Sequence, residues 1–418
     1  MNPARFSMFW FFTVTLQILV DYYVLYNWQK FVKRRGYSPL LYQLPWVIAG
    51  LVLLGTLYSS PMLQSSFGFD APAKRTFQLI TVLWFLPKLL ISLALLLKDI
   101  GRLFLLIYRK ILRSTPRVPS TTINQDVEIP STPRRDFLEK VAWTAAAAPF
   151  AIATNGMFRT AFDFQSYYQT VKIAGLPSQL SGLKIIQISD IHSGSFVSHR
   201  PFQEVRRLID SHKPDLIVIT GDYVNFRADE LKVTHQELSK LKAPLGVYGS
   251  MGNHDHYMSP EDHELLKAGL RSTGLHLLVN NNTTISVDGA TLNLAGIDNT
   301  GLGQNFGRLG DAMSGLNTSN PTILLAHDPT FWDKQVRGKI PVDLMLSGHT
   351  HGGQVGVHLL GEDYSFARVV YEQWAGLYTD KDQSLYVNRG IGMVGPPIRI
   401  AIEPEITVIT LERPESTG

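Results

Sequence analysis

The stretch "VDLMLSGHTHGGQ", residues 342–354, decides how the second half of this chain folds. A short apolar run, strand-like in length and composition, stops at a glycine and is followed at once by two histidines one residue apart. Four other stretches repeat the design: "LKIIQISDIHSG" at 183–194, "DLIVITGDYVN" at 215–225, "PLGVYGSMGNHD" at 244–255 and "TILLAHDPT" at 322–330. Each sets Asp, Asn or His just past a run rich in Ile, Leu or Val. In a layered α/β fold, sites are built at the ends of strands. The donors are oxygen and nitrogen without sulfur, a set that holds Mn, Fe, Zn or similar divalent ions. Gathering so many polar, ligand-type residues at successive strand ends would be costly without a metal to satisfy them.

The ordered set D-x-H, G-D, G-N-H-D, H and G-H-x-H resembles the calcineurin-like metallophosphoesterase superfamily. "GHTHGGQ", with the later "YVNRGIG" at 386–392 and "PIRIAIEPEITVITL" at 397–411, is similar to its bacterial membrane-associated branch. The resemblance covers residues 171 to 412 and implies two stacked β-sheets flanked by helices. It also implies two metal ions, one held by Asp190, His192, Asp222 and His351, the other by Asp222, Asn253, His327 and His349. Asp222 would bridge them, since two cations about 3.5 to 4 Å apart need a shared anionic ligand, and a hydroxide between the ions would attack phosphorus. His254 would act at the leaving oxygen as general acid or electrostatic stabiliser. One departure stands out: family members that read G-D-x-x-D use the second aspartate to orient this histidine, and Asn225 occupies that place here. An amide cannot stabilise the charged imidazole as a carboxylate does, so His254 is expected to be less basic or to be oriented by another group. His256 and Arg389 are candidate substrate contacts at the rim. His199, His212, His235, His263, His276 and His358 fall outside the motifs and are expected at the surface or in packing. Tyr364, Phe366, Tyr371, Trp374 and Tyr378 form either an aromatic rim for an acyl chain or interface, or a hairpin packing its own side chains.

The first half is of another kind. All twelve histidines lie at or after His192, whereas three long apolar stretches precede residue 98: Phe6 to Trp28, Leu44 to Leu63 and Phe77 to Leu97. Each is about the 20 residues needed to cross a hydrocarbon core. Residues 1–113 therefore read as a helical region with three spans. Basic residues following the first and third spans put those ends in the cytoplasm and the N-terminus outside. "KDIGRLFLLIYRKILR", residues 98–113, either extends the third helix or lies in the interface. Lys88 in mid-span either reaches into a bundle interior or snorkels. The net charge of +4 is explained by topology, so no nucleic-acid partner is expected. The absence of cysteine excludes disulfides and thiolate metal sites.

Residues 114–133 hold four prolines and many Ser and Thr, and read as a linker. At 134–158, Arg134 and Arg135 precede an uncharged alanine-rich run, which resembles a twin-arginine export signal or a fourth span. Ala151-Ile152-Ala153 offers a cleavage site. A fourth crossing would place the catalytic domain, 171–418, on the periplasmic face of a bacterial inner membrane. The expected function is a membrane-anchored dinuclear phosphoester hydrolase, acting on a lipid-linked phosphoester or pyrophosphate with membrane lipids as its surroundings. The alternatives are an enzyme like the UDP-diacylglucosamine hydrolases of lipid A synthesis on the cytoplasmic face, or a non-catalytic membrane binding protein keeping the fold. Metal identity, substrate and oligomeric state are left open.

Overall fold

A computed structural model describes residues 3–58, 71–112, 133–395 and 397–414. The chain forms two compact units, Met1–Thr154 and Asn155–Gly418.

The first unit is helical. It contains α1 (Pro3–Arg34), α2 (Leu40–Tyr58), α3 (Ala71–Leu112), α4 (Pro133–Ala145) and the start of α5 (Ala148–Phe158). Helices α2 and α3 are each long and apolar enough to cross a membrane, and their windows are mostly unburied, as lipid-facing helices are. The expected second span falls in α2 as far as Tyr58, and residues 59–63 lie outside the described residues. The expected linker lies outside them too, except Pro133, which opens α4. Residues 98–112 continue α3 without a break, which settles their two readings in favour of helix extension.

The polar groups of this unit are paired. Lys88 on α3 reaches the Asp21 carboxylate on α1 in a buried ion pair, with the Trp84 indole 3.4 Å from the same acid and its ring under the ammonium. Lys88 thus reaches the bundle interior and does not snorkel. The export-like segment becomes two helices separated at Ala146–Ala147. Trp143 packs edge-on against Trp28 at 5.1 Å, and Phe150 joins the cluster around Val20, Val24 and Ile91. Arg35 lies 3.3 Å from Asp136 and 3.5 Å from Glu139, which Arg34 also meets. The segment is therefore tied along α1 from its charged end to its apolar middle. Arg134 is exposed, and the cleavage-like Ala151–Ala153 lies within α5.

The second unit is a sandwich of two six-stranded sheets, as the sequence resemblance implies. One sheet runs β1 (Gln165–Lys172), β14 (Glu405–Glu412), β2 (Lys184–Ile188), β3 (Leu216–Thr220), β4 (Val247–Ser250), β5 (His276–Leu277). The other runs β12 (Gly376–Asp380), β13 (Gln383–Val387), β9 (Leu344–Ser347), β8 (Thr322–Leu325), β7 (Ala290–Gly296), β6 (Asn281–Val287). Strands β2, β3 and β4 pair in parallel, as do β7, β8 and β9. A hairpin of β10 (Gly356–Leu359) and β11 (Glu362–Ser365) stands apart as a separate two-stranded sheet.

Strands covered on both faces read as unbroken apolar runs, and these do. Ile185, Leu216, Val218, Leu294, Ile323 and Leu344 fill the space between the sheets. Their neighbours Ile186, Ile188, Ile217 and Ile219 face the outer helices, where Phe202, Val205 and Ile209 project from the helix Arg200–Ser211 at helical spacing. Leu324, Met345 and Trp332 close the other outer face. Each such side chain contributes about 1.5–3 kcal/mol by burial. Polar rivets cross the sandwich: Gln187 Nε2 donates to the Ser347 carbonyl at 2.8 Å and to Thr220 Oγ1 at 3.1 Å. The parallel strands of both sheets thus end at one level, from which the motif loops depart.

The buried Asp21–Lys88 pair supports a double-mutant test. Lys88→Met alone leaves an uncompensated acid and is expected to cost about 3–5 kcal/mol. Asp21→Asn combined with Lys88→Met is expected to recover most of that loss, read as melting temperature of the full chain in detergent.

Candidate metal centre

The strand ends hold the motif residues in a costly conformation. Asp190 (φ 52°) and His192 (φ 44°) follow β2, Asp222 (φ 56°) follows β3, and His349 (φ 74°) and His351 (φ 52°) follow β9. Five side-chain-bearing residues in the left-handed region cost of order 1–3 kcal/mol each. Such strain persists only where surrounding contacts enforce it. The enforcement is visible in the loop Asn388–Gly392, which lies behind Asp190. Ile391 N–H donates to the Ser189 carbonyl at 2.9 Å and Gly392 N–H to the Asp190 carbonyl at 2.7 Å. Buried Arg399 donates to the carbonyls of Arg389, Gly390 and Gly392 at 3.0, 3.1 and 2.6 Å, holding the loop closed.

The side chains converge. His192 Nε2 lies 3.0 Å from His351 Nε2, and His351 Nε2 lies 3.3 Å from Asp190 Oδ1. Asp222 Oδ2 is 3.6 Å from His192 Nε2 and 3.0 Å from His327 Nε2, so the Asp222 carboxylate lies between two histidine groups. Donor atoms of Asp190, His192 and His351 lie within 4.8 Å of one another, as do those of Asp222, His327 and His349, and those of His192, Asp222 and His254. The backbone reinforces the acids: His349 N–H donates to both Asp190 oxygens at 3.0 and 3.1 Å, and His254 N–H donates to Asp222 Oδ1 at 2.8 Å. His327 Nδ1 donates to the Thr220 carbonyl at 2.6 Å, which fixes its tautomer and turns Nε2 inward.

The residues fit a divalent-metal site. Asn253 Oδ1 is buried without a hydrogen-bond partner, while its Nδ2 donates to Tyr257 Oη at 2.9 Å, so the amide is oriented with its acceptor unused. Burial pushes the His192 imidazole down to about 3 and that of His349 down to about 4, and it holds His351 well below its ordinary range, so all three are neutral ligands. For Asp222, burial works against the charge, yet His327 and its neighbours prevail and keep this carboxyl well below the usual range. Burial likewise opposes charge on His327, but Asp222 and Asp190 raise it to about 10. A metal would take the place of that proton. Close approach is also required: a Cβ on Gly348 would lie 2.0 Å from Ser189 Oγ and 2.2 Å from Asp190 Oδ2.

His254 lines a cavity of about 280 Å³ with Asp222, Asn253, Leu302, His349, His351 and Tyr371. Its Nδ1 donates to the main-chain carbonyl of Asn225 at 2.8 Å. The orienting group at this departure from the family motif is thus a backbone carbonyl, not the Asn225 amide. His256 and Arg389 do not line that cavity. His256 Nε2 lies 2.6 Å from Asp298 Oδ1 and its ring stacks on Phe306, while Arg389 pairs with Glu405 at 2.8 Å and Asp363 at 3.5 Å over the Tyr167 ring. The six histidines outside the motifs lie outside the three convergent groups and the cavity lining; His212, for example, bonds Ser166 at 2.8 Å.

Sequence reasoning missed two kinds of residue. Asp255, in the quoted "GNHD", is buried and accepts from the amides of Asp222, Tyr223 and Gly252, each at 2.9 Å, so it ties the two motif loops together. Tyr257 and Tyr371 bond the second group, the latter through a hydroxyl 3.0 Å from His349 Nε2. Tyr257 follows its motif by two residues, a signal that could have been used. In the sequence Tyr371 is one aromatic among five in its stretch, and nothing there distinguishes it.

Because His327 holds a proton up to about 10, metal binding near pH 7.5 is expected to release about one proton, and affinity is expected to rise by up to about tenfold per pH unit. Calorimetry with Mn in buffers of different ionisation heat measures both. In a second test, Gly390→Ala sets a Cβ 2.7 Å from that of Asp190 at φ 75° and is expected to weaken metal binding while leaving the sandwich's circular dichroism intact.

Comparison with known proteins agrees with this geometry. Residues 183–353 match the family model "Calcineurin-like phosphoesterase", and residues 5–161 match "Probable Calcineurin-like phosphoesterase, transmembrane domain". The chain is 33% identical over 298 residues to the uncharacterized metallophosphoesterase YkuE of Bacillus subtilis, covering 67% of this chain and 97% of that protein. It is 30% identical over 285 residues to the phosphodiesterase YaeI of Escherichia coli, covering 66% and 98%. A transmembrane protein with metallophosphoesterase domain of Danio rerio is 32% identical over 255 residues, 58% of this chain and 56% of that one. The chain belongs to the calcineurin-like metallophosphoesterases, metal-dependent phosphoester hydrolases, as a member with a transmembrane domain ahead of its catalytic unit.

Proposed function

We propose that this protein is a multi-pass inner-membrane hydrolase with a dinuclear centre, cleaving a lipid-linked phosphoester or pyrophosphate on the periplasmic side. The observation that carries the reading is the convergence of histidine and carboxylate donor groups, two of which share Asp222, beside a cavity that His254 lines. Asp190, His192, Asp222 and His351 would hold one ion, and Asp222, Asn253, His327 and His349 the other. Bound divalent ions, Mn, Fe, Zn or similar, supply ionised water at neutral pH and positive charge for the phosphoryl oxygens. The chain's own residues do the rest. Asp222 would offset the repulsion between two cations, and the Thr220 and Asn225 carbonyls hold His327 and His254 in register. With Nδ1 engaged, His254 presents Nε2, the nitrogen that would protonate the departing oxygen. Tyr371, hydrogen-bonded to His349, is placed to donate to a phosphoryl oxygen once His349 is engaged by metal.

The periplasmic side is supported by α4 and α5 lying along α1 and beside α3, as a fourth crossing would. A lipid-linked substrate is supported by the transmembrane domain, which keeps the catalytic unit at a bilayer.

Purified full chain with added Mn is expected to hydrolyse bis-p-nitrophenyl phosphate. Asp222→Asn is expected to abolish turnover, and His254→Ala to lower kcat by about 10²- to 10⁴-fold with little change in metal content. Wild type as inert as both variants would overturn the assignment. A reporter fused after Arg413 is expected to be active only in the periplasm; a cytoplasmic signal would instead favour UDP-diacylglucosamine-like substrates.

A further inference from the structure

Between the last metal loop and β12, the catalytic unit exposes apolar side chains in a concentration found nowhere else among its described residues. Val357 is 64% exposed, Leu359 58%, Leu360 93%, Phe366 79%, Val369 84% and Val370 73%. Monomeric proteins scatter such residues singly, and clusters mark interaction sites. The hairpin β10–β11 joins neither large sheet, and an isolated two-stranded ribbon is marginal in water.

Its turn is the clearest sign. Leu360 (φ 55°) and Gly361 (φ 84°) are the two central residues between paired Leu359 and Glu362. A tight turn with two left-handed residues favours Asn or Gly at its first position, so leucine there is unfavourable for folding. The most exposed leucine of the catalytic unit thus occupies a position that folding alone would give to another residue.

We propose that this hairpin and the short helix Ala367–Val370 dip into the surface of the bilayer that holds the transmembrane domain, setting the mouth of the metal cavity against lipid. Three observations commit the occupant to lipid. The apolar side chains are aliphatic at the protruding tip. Behind them come Tyr364 and Phe366, with the Arg368 guanidinium over the Tyr364 ring at 5.5 Å, the aromatic and basic pairing found at headgroup depth. Of the two acids on this ribbon, Asp363 is turned to Arg389 and His358, while Glu362 is exposed beside the tip and would stay at the level of the headgroups. The patch is joined to the cavity directly. A Cβ on Gly353 would meet Ser365 and Ala367, and Tyr371, next after the helix, bonds His349. This placement goes beyond the hydrolytic assignment, and label accessibility tests it without a substrate; only the diacyl phosphoester measurement rests on the proposed function.

The chain has no cysteine, so single cysteines can be labelled cleanly. Nitroxides at Leu360→Cys and Val369→Cys, in full chain reconstituted into nanodiscs of mixed phosphatidylcholine and phosphatidylglycerol, are expected to be shielded from a water-soluble nickel complex and accessible to oxygen. A label at Glu204→Cys, on the exposed side of its helix, is expected to show the reverse. The double variant Leu360→Asp, Val369→Asp is expected to keep bis-p-nitrophenyl phosphate turnover within about twofold while losing about tenfold or more on a diacyl phosphoester in the same nanodiscs. Labels as open to nickel as the Glu204 control overturn the proposal. So do shielded labels accompanied by close label–label distances in a dimer, which would assign the patch to a second copy. Loss of hydrolysis in the wild type with shielded labels would overturn the enzymatic reading and leave the docking surface standing.

Discussion

The arrangement depends on Asp222, a carboxylate buried at the end of β3 and held in a left-handed turn. An acid there is tolerable only if positive charge meets it. Against the burial that opposes charge on His327, Asp222 and Asp190 raise its imidazole to about 10, and in the metal-loaded protein cations would take that role. The main chain is organised to the same end. Asp255 gathers amides from the Asp222 turn and the Gly252 turn, and His254 N–H donates back to Asp222, so two loops separated by some thirty residues form one block. Burial pushes Asp255 up to about 8, with the Asp222 charge adding to it, while the amides at Gly252 and Tyr223 pull it down. Four amide donors, Val224 N–H at 3.4 Å among them, are the kind of support that keeps such a group useful as an anchor.

The sandwich makes this possible by bringing strand ends from two sheets to one level. Asp190 and Asp222 come from the first sheet, His327 and His349 from the second, and Gln187 links the sheets beneath them. The loop closed by Arg399 then presses on Asp190 from behind, which explains why "YVNRGIG" belongs to the motif set although Arg389 is occupied by Glu405 and Asp363. The same economy of polar groups recurs in the helical unit, where Asp21 and Lys88 answer each other inside the bundle. A buried charge is retained only with a partner, whether another side chain or a metal.

Much of the catalytic unit was legible because function and periodicity coincide in it. Strands buried on both faces must be uniformly apolar, so each ends visibly where polarity begins, and the metal-binding types sit at those ends. The helical unit was legible for the opposite reason, since long uncharged runs have few other uses. What could not be read were contacts between distant residues. Nothing near Lys88 in the sequence shows that Asp21, on another helix, is its partner. The residue type at Asn225 points to its amide, whereas its main-chain carbonyl holds His254, a group that every residue possesses and no residue type announces. Tyr371 lies among five aromatics of one stretch, and only the fold selects it.

Residue type and spacing by themselves determined the division into membrane and catalytic parts and the inventory of groups that can hold divalent ions, while the resemblance of the ordered motifs implied the two stacked sheets. These follow from local physics: hydropathy over a span, alternation over a strand, and donor chemistry at a turn. Tertiary structure decided which group orients His254, which histidines lose their protons, and which apolar side chains are left outside. Those outcomes depend on burial and on charges brought together from across the chain, and neither is a property of any short stretch of sequence.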